Sequence, residues 1–201
     1  MIQEYTDPKR QDARQSFTGK RMTESQFDEA WNITGIINRE IHKSGSFIDK
    51  LTDYAHAYSR NQKFDGARGE VILRDLYSAR YGESMNQTRT ALMEREDMIR
   101  ETAQDQALHH ARSIGKMIQN GPTMPFYQAA DNAGVAMAHQ HGITETGAKK
   151  LMAEAFEAAE GRSLRDHGKE LESTYHIPVR DAERAARQAT RSQMQRSGPS
   201  I

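Results

Sequence analysis

Residues 88–119 read TRTALMEREDMIRETAQDQALHHARSIGKMIQ, and the reading of this stretch decides the fold. Leu92, Ile99, Ala103, Ala107, Ala111, Ile114 and Ile118 recur at steps of three, four and seven, which draws one apolar stripe down an α-helix. Ser84-Met85-Asn86-Gln87 has the Ser-x-x-Gln spacing of a capping box before it, and Asn120-Gly121-Pro122 supplies a left-handed cap and a stop after it. The spacing therefore predicts one unbroken helix of roughly 45 Å at 1.5 Å per residue.

Shorter helical patterns flank it on both sides. Thr23 to Gln26 forms a capping box, followed by a stripe of Phe27, Ala30, Trp31, Thr34, Ile37 and Ile41 that ends at Ser44-Gly45. Ser46 to about Arg60 repeats the formula with a Ser-x-x-Asp opening, and Val71 to Arg80 runs to a stop at Gly82. Beyond Pro122 come patterns over 125–141, 144–160 and 163–175, and His176-Ile177-Pro178 reads as a break before a last helix. The fold class expected is all-α, a multi-helix bundle of about seven helices organised around 88–119. Its parts would be a flexible N-terminal arm at 1–21, a helical domain at 22–177, and a basic C-terminal helix and tail at 178–201.

Composition narrows what such a bundle can do. Leu, Ile, Val and Phe make up about 15% of the 201 residues, below the roughly 20% usual for globular chains. Acidic and basic groups balance at 28 each, so the aliphatic deficit does not come with the large net charge of a disordered chain. Alanine (24) and methionine (10) fill the gap, which implies a shallow core, an elongated or oligomeric molecule, and adaptable Met-rich surfaces. With no cysteine, disulfides and thiolate chemistry are excluded. No apolar run approaches the ~20 residues of a membrane span, and Met1 to Arg21 has no signal-peptide apolar segment. The expectation is a cytoplasmic protein that does not enter a membrane. Charge is uneven along the chain: residues 1–21 carry +2, residues 180–201 carry +3, and the body between carries −5.

Candidate sites are few. Arg180, Arg184, Arg187 and Arg191 are spaced four, three and four, placing four guanidinium groups along one helix face. Guanidinium forks pair bidentately with carboxylates or phosphates, so this stripe is the leading partner-binding site. The plainer alternative is a solvated face, or one docked on the acidic body of the same chain. Such an Arg-rich end resembles the loose transport signals of type IV secretion substrates. The helices at 125–141 and 144–160, joined by a glycine turn, have the size of a helix-turn-helix. There Lys149 and Lys150 are the candidate nucleic-acid contacts, but Glu145 opposes phosphate and any antiparallel pair looks similar.

Other signals are weaker still. Tyr54 and Tyr58, one turn apart, suit either base stacking or plain packing, with packing the simpler reading. Thr18-Gly19-Lys20 lacks the upstream glycine and strand of a phosphate loop. His109-His110 and His139/His141 diverge on their helices and cannot share an ion as i,i+4 neighbours do. No catalytic signature, metal set or cofactor motif emerges. The functional expectation is a non-catalytic interaction or accessory protein that binds a protein or a protein–nucleic acid assembly. The alternatives are a DNA-binding accessory protein and an enzyme of unknown class, and self-association is a further expectation from the thin core.

Overall fold

The computed structural model describes residues 7–19, 21–121 and 124–196, with side chains outside 177–180 and 189–196. The described residues form nine α-helices and no strand: α1 Pro8–Phe17, α2 Glu24–Ser44, α3 Ile48–Gln62, α4 Gly66–Tyr81, α5 Met85–Ile99, α6 Gln104–Asn120, α7 Phe126–His141, α8 Glu145–Glu160 and α9 Leu164–Arg196. The chain divides into two compact units. One comprises Met1–Met98 with Gly142–Thr146, and the other Ile99–His141 with Gly147–Ile201.

The central helix expected at 88–119 is two helices. Residues 100–103 form a turn between α5 and α6. The Gln104 side-chain amide donates to the Arg100 carbonyl at 2.7 Å, the acceptor that Gln104's own N–H uses in a continuous helix. Beside it the Thr102 hydroxyl turns back onto the Ile99 carbonyl. At the far end Gly121 closes α6 on the Met117 carbonyl with φ −115°, so its cap is not left-handed. Pro122 lies outside the described residues.

In the first unit α2 holds the centre. Its capping box forms as the spacing demands: Thr23 N–H donates to Gln26 Oε1 at 2.8 Å, and Gln26 N–H to Thr23 Oγ1 at 3.3 Å. Gly45, at φ +69°, ends it. Every residue of the expected stripe, Phe27 to Ile41, is buried. Trp31 stacks on Phe27 with ring centroids 5.5 Å apart and lies under the Arg80 guanidinium, which also donates to the Trp31 carbonyl at 2.6 Å. Tyr58 is wholly buried with its hydroxyl on the Gln26 carbonyl, so it is a core residue and no stacking platform. The Ser46 cap does not form; Phe47 precedes α3 with no side-chain cap.

Pro8–Phe17, inside the segment expected as a loose arm, is a helix docked on its neighbours. Ala13 is buried, and Asp28 of α2 accepts from Arg10 at 2.9 Å and Arg14 at 2.6 Å. The rest of the arm's start (residues 1–6) and Lys20 lie outside the described residues. Burial pushes the Asp28 carboxyl up, but the hydrogen bonds from Arg14 and Arg10 outweigh it and leave it below its ordinary value. A lowered folded value stabilises above the unfolded value and is lost as pH falls through the folded one. The docking of α1 therefore loosens in acid, below the usual Asp range near ~4. Amide exchange in α1 should accelerate there, and Asp28→Asn should flatten that dependence while raising exchange at neutral pH.

Between α3 and α4 the backbones approach at Gly69. A methyl group there would stand 2.1 Å from Ser59 Oγ and 3.0 Å from the Ala55 carbonyl oxygen. Helix propensity favours alanine by about 1 kcal/mol. Against this, Ser59 must rotate off the Asp65 carbonyl, to which it donates at 3.2 Å, and a backbone oxygen cannot yield. Overpacking of this kind costs about 1–3 kcal/mol, so Gly69→Ala should be net destabilising by about that amount in a urea titration.

The second unit is built on α6, whose Ala107, Ala111, Ile114 and Ile118 are buried. Other buried residues of α7 and α8 are largely small as well: Ala129, Ala133 and Ala138 from α7, with Met137; and Ala148 and Ala155 from α8, with Leu151, Met152 and Phe156. The last helix differs from expectation. Rather than breaking at His176-Ile177-Pro178, α9 runs for 33 residues through Pro178. Proline removes one helical hydrogen bond and strains the preceding turn, a cost of about 3 kcal/mol. It does not oblige a helix to end when the turns before it are anchored, as they are here.

Candidate functional site

The anchored part of α9 is residues 164–176. Ser163 caps it by accepting the Asp166 N–H at 3.1 Å. Gly168 lets the Phe126 ring close on the helix: a Cβ at that position would stand 2.0 Å from a ring carbon. Glu172 Oε2 accepts the Phe126 N–H at 3.1 Å, and the fully buried His176 sets its Nε2 3.1 Å from the Gly121 carbonyl oxygen. A carbonyl can only accept, which assigns the proton to Nε2. The side chains of 177–180 lie outside the described residues. Residues 181–188 are exposed on every side of the helix, alanines included.

This exposed end carries the arginines singled out by spacing. All four lie on α9 and, at 100° per residue, within an arc of roughly 60°, with Ala182, Ala185 and Ala186 on the other side. Arg184 and Arg187 are exposed; the side chains of Arg180 and Arg191 lie outside the described residues. The one ion pair described here is Arg187 to Glu183 at 3.7 Å, between side chains 82% and 55% exposed, a geometry that adds little. With Asp181 and Glu183 opposing Arg184 and Arg187, the net charge over 181–188 is zero. With Arg180 and Arg191 included, the span 180–191 carries a net +2.

The lysines of α8 are placed differently from each other. Lys149 forms an ion pair with Asp131 of α7, and its stem crosses Gly134, where a Cβ would come within 2.8 Å of it. Lys150 is exposed, 3.9 Å from Glu154 on its own helix. Neither is brought near the arginine stripe by any described contact. Among the histidines, the His109 and His110 rings meet edge to face at 6.0 Å, and His110 Nε2 lies 3.0 Å from Gln140 Oε1. No group of three or more His, Asp, Glu or Cys among the described residues is placed to hold a metal ion. No helix among the described residues is long and apolar enough to cross a membrane.

Spacing missed the groups that set these surfaces. The anchoring of α9 through Glu172, His176 and Gly168 leaves no period in the sequence. The only available signal was local: a small residue at 168 and a histidine where an apolar stripe would continue. Comparison with family models, with curated proteins and with solved structures yields no match.

Proposed function

We propose that the chain is a non-catalytic helical accessory protein that docks on a protein or protein–nucleic acid assembly through the arginine face of α9. The observation that supports this is the contrast along one helix between a hydrogen-bonded anchor that includes the buried His176 and the eight consecutive exposed residues 181–188. A free helix of that length is marginal in water. Here the anchored turns nucleate it, so it is presented already formed, which lowers the ordering cost of binding. Arginine forks on such a helix suit carboxylates or phosphates arrayed along a groove.

Nucleic acid alone is the second reading. Exposed Lys150 favours it, and the engagement of Lys149 with Asp131 counts against it, leaving α8 with one outward cation. The reading is tested by capturing the partner with the full chain and with a chain ending at Pro178. Loss of capture at unchanged fold supports it; unchanged capture refutes it.

A further inference from the structure

The polar side of α6, opposite its buried stripe, carries Arg112 and Lys116 one turn apart. With the end of α8 and the start of α9 they wall a cleft of about 180 Å³ that also admits Phe156, Glu160, Arg162 and His167. Three cations thus come from two different elements of the second unit, against one lining carboxylate. That carboxylate is already committed: Glu160 Oε1 accepts from Arg112 Nε at 3.1 Å and Nη2 at 2.7 Å. The hydrogen bond from Arg112 holds the Glu160 carboxyl below its ordinary range. Arg162 spends Nη1 on Glu170 at 2.9 Å, outside the cleft lining. Lys116 makes no ion pair among the described residues and is exposed.

The imidazole of His167 forms the floor beside Phe156, the two rings stacked at 5.2 Å and 20°. Burial first, and Arg162 second, hold His167 below its ordinary range, so at neutral pH it adds no charge. Its Nδ1 is buried and meets no hydrogen-bond partner among the described residues.

Charge and size select the ligand. With Glu170 on Arg162 counted, the cluster keeps a surplus of one positive charge, and its guanidinium and ammonium donors, coming from several directions, suit the three acceptor oxygens of a phosphoryl group. The volume lies below the roughly 300–1,000 Å³ of sites that enclose a drug-sized molecule, so it takes a headgroup and not a whole nucleotide. We propose that this cleft binds a phosphoryl group, free or as a monoester, gripped by Lys116 and Arg162 and backed by Arg112 and the His167 ring. The site uses no residue beyond Leu171 and does not depend on the docking role of α9.

The test uses the full chain, with inorganic phosphate and phenyl phosphate as probes and acetate as control. Binding is read by calorimetry and by the ring-nitrogen shifts of His167. Saturable binding of either phosphate, with a His167 shift, is expected; which of the two binds tighter distinguishes a free ion from a monoester. Lys116→Met and Arg162→Gln should each weaken it about tenfold or more, the loss of one charge-assisted hydrogen bond. Circular dichroism should be unchanged, since both side chains lie at the surface. No saturable binding at about 10 mM, equal affinity for acetate, or affinity indifferent to both substitutions would overturn the proposal.

Discussion

Phe27→Ala should destabilise the unit built on α2 by about 3–5 kcal/mol, the range for removing a buried phenyl ring. The side chain is wholly buried, stacked on Trp31 at 5.5 Å, with the Arg14 guanidinium 5.7 Å above it. Its loss therefore removes three things at once: the transfer free energy of the ring, the support for Trp31, and the surface on which α1 rests. Collapse around the hole is restricted because Trp31 is already fixed from its other side by Arg80. Against a typical domain stability of about 5–15 kcal/mol, such a change takes about a fifth or more of the total. In urea the midpoint should fall by about 2 M for a slope near 2 kcal/mol/M. A loss below about 1 kcal/mol would mean that the ring is solvated in the folded chain. Phe64 is the internal control: it is only partly buried, under Arg68 at 4.4 Å, and its truncation should cost visibly less.

The contrast between α2 and the 88–119 stretch explains what the sequence could and could not disclose. For α2, cap, stripe and stop agree, and the structure follows them residue by residue. Between α5 and α6 the apolar positions Ile99, Ala103 and Ala107 stay in phase across the turn, so periodicity carries no trace of it. The interruption comes from a side-chain amide taking a backbone acceptor, a competition that hydrophobic spacing does not record. The opposite error occurred at Pro178. A local rule predicted a break, and tertiary anchoring at Glu172 and His176 kept the helix running. At α1 a segment with little apolar content is docked by two arginines on Asp28, 14 and 18 residues away in sequence. The phosphoryl cleft was illegible for the same reason as α1: its groups converge from α6, α8, α9 and the turn at Arg162, and no linear pattern links them.

Removing the chain beyond Pro178 should leave the melting temperature nearly unchanged and abolish partner capture. Residues 181–188 are exposed, and exposed side chains usually contribute within about 0.5 kcal/mol. The anchor is retained, because His176 and its Gly121 contact precede the cut. A new helix end so close to His176 exposes carbonyls that the longer helix satisfied, so some fraying of the last turn is expected. A second variant removes that ambiguity: Arg180, Arg184, Arg187 and Arg191 all changed to glutamine keep the helix, since glutamine and arginine have similar helix propensity. Lysine at the same four positions keeps charge but not the planar fork, and should bind more weakly than the native chain if pairing is bidentate. Salt then sorts the partner. Contacts to duplex phosphates lower the logarithm of affinity by about 0.9 per contact per logarithm of salt, so four contacts give a slope near −3.6. A shallow slope together with loss in the glutamine variant points to carboxylates on a protein. If the truncated chain instead melts many degrees lower while the glutamine variant binds normally, α9 beyond Pro178 is structural, and the arginine face is not the docking site.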